Sequence, residues 1–161
     1  MKKILILMTM LMCAVACFPR LPEVTTLESA QFAVVGEENV VWQSSDYKGK
    51  PVLIVFMGSW CPWCKKTMPA VNALKEKYGD QVEIVSAFVD PTAEPVAQAI
   101  AANGLTAKAI YDASELAEGL GVDGFPHTIL FNQKHQAVKT WEGYRDEMEK
   151  LVSAEIDKLI K

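Results

Sequence analysis

The run Pro51-Val-Leu-Ile-Val-Phe-Met57 is apolar without interruption and leads, through a glycine and a serine, into Trp60-Cys-Pro-Trp-Cys64. An unbroken run of this kind fits a strand buried on both faces, as central strands of parallel or mixed sheets are. The residues that follow change period: Val71, Leu74 and Tyr78 recur at spacings of three and four, so a helix opens at the cysteines and stops at Gly79. Pro69 falls inside that pattern and predicts a kink, because it removes a backbone donor. Two cysteines are thereby placed where a buried strand turns into a helix.

The rest of the chain builds around this junction. Residues 31–50 alternate short apolar runs with turn residues and predict a hairpin around Gly36 to Asn39. Residues 81–89 read as a second core strand, Pro95 to Ala102 as a short helix ending near Asn103-Gly104, and 107–112 as a short strand. Ser114 to Glu118 makes a helical turn or two. Residues 127–132 and 137–143 are strands joined at Gln133 to Gln136. Tyr144, Met148, Leu151, Val152, Ile156 and Leu159 give a closing helix one apolar stripe. The expected class is α/β, a mixed sheet covered on both faces with right-handed crossovers and an N-terminal β-hairpin extension.

At 161 residues the chain has room for one domain with a real core. Its formal net charge of −4 and the lack of any long Lys or Arg run exclude a nucleic-acid binder. The first residues have the layout of a signal peptide: Lys2 and Lys3, then an apolar run from Ile4 to Phe18, shorter than the roughly 20 residues of a membrane-spanning helix. Residues 1–16 are expected to be removed, Cys13 with them. Ala14-Val15-Ala16-Cys17 resembles the lipobox of bacterial lipoproteins, with Ala14 in place of the usual Leu, and implies lipid attachment at Cys17. The alternatives are ordinary cleavage after Ala16 and an uncleaved anchor. Residues 18 to about 29, with two prolines and no periodicity, read as a tether, so the domain is expected over 30–161. Of the 4 cysteines, Cys61 and Cys64 remain for side-chain chemistry.

That pair admits three uses. A structural zinc site wants four ligands, and the only other candidates, His127 and His135, are eight apart across a strand and a turn, where His135 reads as a solvated turn residue. A static staple that closes so short a loop constrains the unfolded chain very little. Thiol-disulfide exchange uses the geometry directly: a helix N-terminus favours the Cys61 thiolate and exposes its sulfur, and Cys64, one turn along, can resolve a mixed disulfide. Pro62 lacks an N–H and suits the first helical position. Trp63 is bulky and expected to be exposed near the sulfur.

The domain resembles the thioredoxin superfamily, specifically the exported TlpA/ResA-like thiol-disulfide oxidoreductases. The stretch from Lys48 to Pro69 matches the family's strand, Trp-Cys-x-x-Cys and proline-containing helix; residues 121–132, Gly-Val-Asp-Gly-Phe-Pro-His-Thr-Ile-Leu-Phe-Asn, match the segment that carries its cis-proline; Trp141-Glu-Gly143 matches the closing strand. The resemblance implies a thioredoxin-like fold, Cys61 and Cys64 as the catalytic, redox-active disulfide, Trp60, Pro62 and Trp63 as residues that tune it, and Phe125 with Pro126 as a substrate platform beside Cys61. It implies no cofactor and no metal, exported client proteins such as apocytochrome c, a membrane thiol as electron donor, a monomer in the cell envelope held by a lipid anchor, and the reducing direction. A disulfide oxidase, and a copper chaperone built from Cys61, Cys64 and His127, are the alternatives.

Two acids of the family pattern are missing. Thioredoxins carry a buried Asp six residues before the first cysteine, where this chain has Val55, and ResA-like proteins a Glu three residues after the second, where it has Thr67. Proton handling at Cys64 is left without an evident base. The Thr and Pro that a peroxiredoxin needs before its cysteine are replaced by Gly58 and Ile54, which disfavours peroxide reduction.

Overall fold

The computed structural model describes residues 25–161. The expected signal peptide, Cys13, Cys17 and the tether as far as residue 24 lie outside the described residues. In chain order the elements are β1 (Gln31–Ala33), β2 (Val41–Gln43), β3 (Val52–Met57), α1 (Pro62–Tyr78), β4 (Glu83–Phe88), α2 (Ala93–Asn103), β5 (Lys108–Ile110), α3 (Ser114–Gly119), β6 (His127–Phe131), β7 (Ala137–Glu142) and α4 (Met148–Leu159).

β3 is buried along its whole length and sits at the centre of a five-stranded sheet of order β5-β4-β3-β6-β7. It runs parallel to β4, which is parallel to β5, and antiparallel to β6, which is antiparallel to β7. Alternation along β3 sorts its side chains between two core layers. Leu53, Val55 and Met57 meet Met68, Val71 and Leu74 of α1 and Met148, Val152 and Ile156 of α4. Val52, Ile54 and Phe56 face Ala113 and Ala117 at α3, and Val34 and Trp42 of the hairpin. This is the expected mixed sheet covered on both faces.

The hairpin β1–β2 turns through Gly36 and Asn39, both at positive φ, and is a separate two-stranded sheet. It is tied to the domain by a bridge between Val34 and Ile110 and by Trp42, whose indole N–H donates to the buried Glu83 at 3.1 Å.

Four expectations need correction. The segment read as a tether is seated on the domain from Thr25: Ala137 N–H donates to the Thr25 carbonyl, Leu27 N–H to the His135 carbonyl, both at 2.8 Å, and the Leu27 side chain is buried. His135 does occupy a turn, at φ 59°, but it is buried rather than solvated: the segment at Leu27 is hydrogen-bonded to its carbonyl and its Nε2 is 3.2 Å from the Tyr47 carbonyl oxygen. The closing helix starts at Met148, not Tyr144, and buries Met148, Val152 and Ile156 at spacings of four, which leaves Leu151 at the edge of the stripe and exposed. α2 starts at Ala93, ahead of Pro95, since a proline is tolerated in a helix's first turn. α1 continues through Pro69 as one helix.

Candidate active site

After β3 the chain makes one tight turn, closed by Cys61 N–H donating to the Gly58 carbonyl at 3.0 Å. At Gly58 a Cβ would stand 2.6 Å from Cε2 of Trp60, so the glycine lets the indole lie against the turn. Cys61 then caps α1 in an extended conformation, with Pro62 in the first turn. Proline costs nothing there, because its missing N–H is one of the donors a helix start leaves unpaired. Cys61 and Cys64 are joined as a disulfide, with Cα atoms 5.2 Å apart, and Cys64 N–H donates to the Cys61 sulfur at 3.2 Å. The sulfur expected to be exposed is largely covered: Cys61 is 4% exposed and Cys64 0%. Covering comes from the turn before it and from the β6 approach, and Cys61 is the only one of the two with a path to solvent.

Across from Cys61 lies the loop that enters β6. The Phe125–Pro126 peptide bond is cis, and the Phe125 carbonyl oxygen is 3.7 Å from the Cys61 sulfur. Gly143, at the end of β7, holds this loop from behind by donating its N–H to the Pro126 carbonyl at 2.8 Å. The sequence motifs around residues 61, 126 and 143, far apart in the chain, thus converge on one sulfur.

Two exposed tryptophans flank the pair. Trp60 is 63% exposed and meets the Phe125 ring edge-on at 6.0 Å. Trp63, 52% exposed, stacks on Tyr144 at 5.5 Å, and the Lys66 ammonium lies over the Trp63 ring, 4.3 Å from its centroid. Lys66 is otherwise on the solvated side of α1. These rings, each with an apolar body and exposed to solvent, form an amphipathic rim around the cysteine pair.

The positions of the missing acids are both filled and buried. The Thr67 hydroxyl is spent on the Trp63 carbonyl, 3.0 Å away, one turn back along α1. Val55 belongs to the apolar layer that also holds Cys64. His127, next to Pro126, is buried with its Nε2 2.7 Å from the Thr140 hydroxyl. Burial pushes its pKa below the usual histidine value, against the opposing pull of Glu142 and Asp123. Among the described residues no three His, Cys, Asp or Glu side chains converge as a metal site.

One residue at the site had only a faint signal in the sequence. Asp90, buried at the exit of β4, accepts the Ser59 N–H at 2.9 Å and the Ser59 hydroxyl at 2.6 Å, fixing the turn that carries Trp60 and Cys61. Its partner is thirty-one residues away, and only the Asp-Pro step after a strand marks the position.

The family model described as Redoxin matches residues 20–156 of the chain. The thiol-disulfide oxidoreductase ResA of Bacillus thuringiensis is 30% identical over 118 residues, which span 72% of this chain and 68% of the relative. The thioredoxin domain of a thiol-disulfide oxidoreductase from Bacteroides vulgatus superposes with a TM-score of 0.72 at 21% identity, over 85% of this chain and 96% of that one. A thiol-disulfide isomerase from Corynebacterium glutamicum gives 0.71 at 18% identity, over 88% and 99%. These structures show a shared thioredoxin-like fold. No described helix is long and apolar enough to cross a membrane.

Proposed function

The chain belongs to the Redoxin family and is a thiol-disulfide oxidoreductase, and from that premise we propose that it reduces disulfides of exported proteins through Cys61 and Cys64. The observation that supports exchange at this pair is the Cys61 sulfur at the start of α1, 3.7 Å from the carbonyl before Pro126. In the reduced protein, the Cys61 thiolate attacks a client disulfide; a Cys61–client bond forms and one client thiolate leaves. Cys64 then loses its proton and attacks the Cys61 sulfur. The Cys61–Cys64 bond forms, the second client thiol departs protonated, and two electrons have passed to the client.

Phe125 and Pro126 supply backbone against which an extended client segment lies, and Trp60, Pro62 and Trp63 set the environment of the couple. The reducing direction follows the resemblance to ResA-like proteins. A membrane thiol donor would regenerate the dithiol, apocytochrome c is a candidate client, and the domain acts as a monomer. Residues 1–16 are proposed as a removed signal and Cys17 as the lipid-bearing residue that anchors the domain in the envelope. Cys17→Ala should then release the protein from membranes, and continued retention contradicts the anchor.

The reduction potential of the Cys61–Cys64 couple tests the direction. A reductase requires a value near that of thioredoxin, about −270 mV, whereas a value near −120 mV marks an oxidant. A metal titration tests the chaperone alternative: tight stoichiometric binding with no thiol turnover would replace the exchange reading.

A further inference from the structure

Strand register places three residues side by side on the layer beneath α1. Val55 pairs with Ser86 of β4 on one side and with Thr128 of β6 on the other. Directly paired residues project to the same face, and Ile84, Phe88 and Leu130, which alternate with Ser86 and Thr128, belong to the same buried cluster as Val55 and Cys64. Ser86 and Thr128 therefore stand about 4.8 Å, one strand spacing, to either side of Val55. Both are fully buried, at 0% and 1% exposure, and neither hydroxyl has a hydrogen-bond partner among the described residues. A third such hydroxyl, Ser153, borders a surface hollow with Lys77 and Asp157 and has no part in this row.

Two orphaned hydroxyls in one row of an apolar core are costly and call for a use. Apart from Cys61 and Cys64, the titratable members of that apolar cluster among the described residues are Tyr78, whose hydroxyl donates to Asp157 at the far end of α1, and Tyr111, half-buried against it at the end of β5. The charged and titratable groups at the rim are Asp90, bonded to Ser59; His127 with Asp123 and Glu142 beyond Phe125; and Lys65 and Lys66 on the outer side of α1. Position 55, where a carboxylate would be expected, is apolar, and the hydroxyls flank it.

We infer that Thr128 and Ser86 are positioning residues for Cys64, a hydroxyl pair that takes the place of the missing acid. This rests on the exchange reading above. In the disulfide-bonded state the Cys64 sulfur is tied to Cys61 and the hydroxyls are unpaired. In the mixed-disulfide state Cys64 is free, and a hydroxyl donates to its sulfur as the thiolate develops. As a donor to the developing thiolate a hydroxyl lowers the cost of ionising Cys64 in its buried layer, while the proton Cys64 loses exchanges with solvent and the departing client thiolate takes one up from solvent. No net proton or electron is gained: the Cys64–Cys61 bond forms, the Cys61–client bond breaks, and the proton lost by Cys64 is balanced by the one the client takes up.

Reaction of the reduced full chain carrying Cys13→Ala and Cys17→Ala, which leaves Cys61 and Cys64 as its two thiols and is the wild-type background for the variants below, with the aromatic disulfide dithiobis(nitrobenzoate), followed by absorbance, separates the two steps. The first thionitrobenzoate reports attack by Cys61 and the second reports attack by Cys64. In Ser86→Ala/Thr128→Val the second phase should slow about tenfold or more at pH 7 and its pH midpoint should rise, the equivalent of one lost hydrogen bond to a developing charge. The first phase should stay within about twofold, and Thr128→Ser should behave as wild type. A second phase in the double variant that matches wild type across pH overturns the inference. If the double variant does not fold, Thr128→Val alone decides, with about threefold slowing expected and unchanged kinetics overturning it. A wild-type chain that releases no second thionitrobenzoate, or a Cys61→Ser variant that still shows both phases, overturns the exchange reading itself, and is recognisable before any variant in the row is compared.

Discussion

Asp90 holds Ser59 by both its backbone N–H and its hydroxyl, at 2.9 and 2.6 Å, two residues before Cys61. The carboxylate is buried, so these bonds are its compensation for leaving water. Asp90→Ala leaves the Ser59 N–H without its acceptor and should cost about 1–3 kcal/mol in urea unfolding. Insulin reduction should fall with it, because the turn that aims Cys61 loses its anchor. Asp90→Asn keeps one acceptor oxygen and should lose less on both measures; equal losses would mean that charge, not the anchoring bond, is what matters.

Gly58 and Trp60 are in near contact, so Gly58→Ala must move the indole. With Trp60 63% exposed, the ring can swing outward, and the cost to stability should be about 1 kcal/mol or less. The indole would leave its edge contact with Phe125. Tryptophan emission of the variant should shift to the red; an unchanged spectrum would show that the turn yields instead.

His127 gives a pH signature with a definite sign. Burial lowers its folded pKa below the ordinary 6.5, so the unfolded chain takes up its proton first as the solution is acidified. The neutral imidazole is accommodated above that pH, and stability is lost as pH falls through it toward the lower folded value. His127→Gln should show a smaller loss of stability between pH 7 and pH 5 than wild type, by urea unfolding at each pH. An identical pH dependence in the two proteins would contradict the assignment.

The strand, the cysteine turn and α1 were legible in the sequence because their signals are local: an unbroken apolar run, a proline at a helix start and a period of three to four. The Phe125-Pro126 segment was legible by resemblance. What could not be read depends on pairing between distant strands. Ser86 and Thr128 are ordinary strand residues until register sets them beside Val55. Asp90 shows its use only once β4 lies next to β3. Tyr144 fitted the helical stripe and instead stacks on Trp63, a contact across the sheet's end that periodicity cannot report. His135 looked solvated because the sequence alone does not say that the segment at Leu27 returns to bond its carbonyl.

Thr128→Val also makes a stability prediction. Replacing an unpartnered buried hydroxyl by a methyl should stabilise the disulfide-bonded protein by about 1 kcal/mol in urea unfolding, and stabilise the reduced protein less, since there the hydroxyl has Cys64 as a partner. Destabilisation of the oxidised form would mean that the hydroxyl is already satisfied in that state.

The division of labour between the two cysteines is most directly tested by trapping. Incubated with insulin and analysed without reductant, Cys64→Ser should accumulate a reductant-sensitive conjugate joined through Cys61, and Cys61→Ser should accumulate none. A conjugate joined through Cys64 in the Cys61→Ser protein, with turnover persisting when Cys61 is absent, would contradict the account.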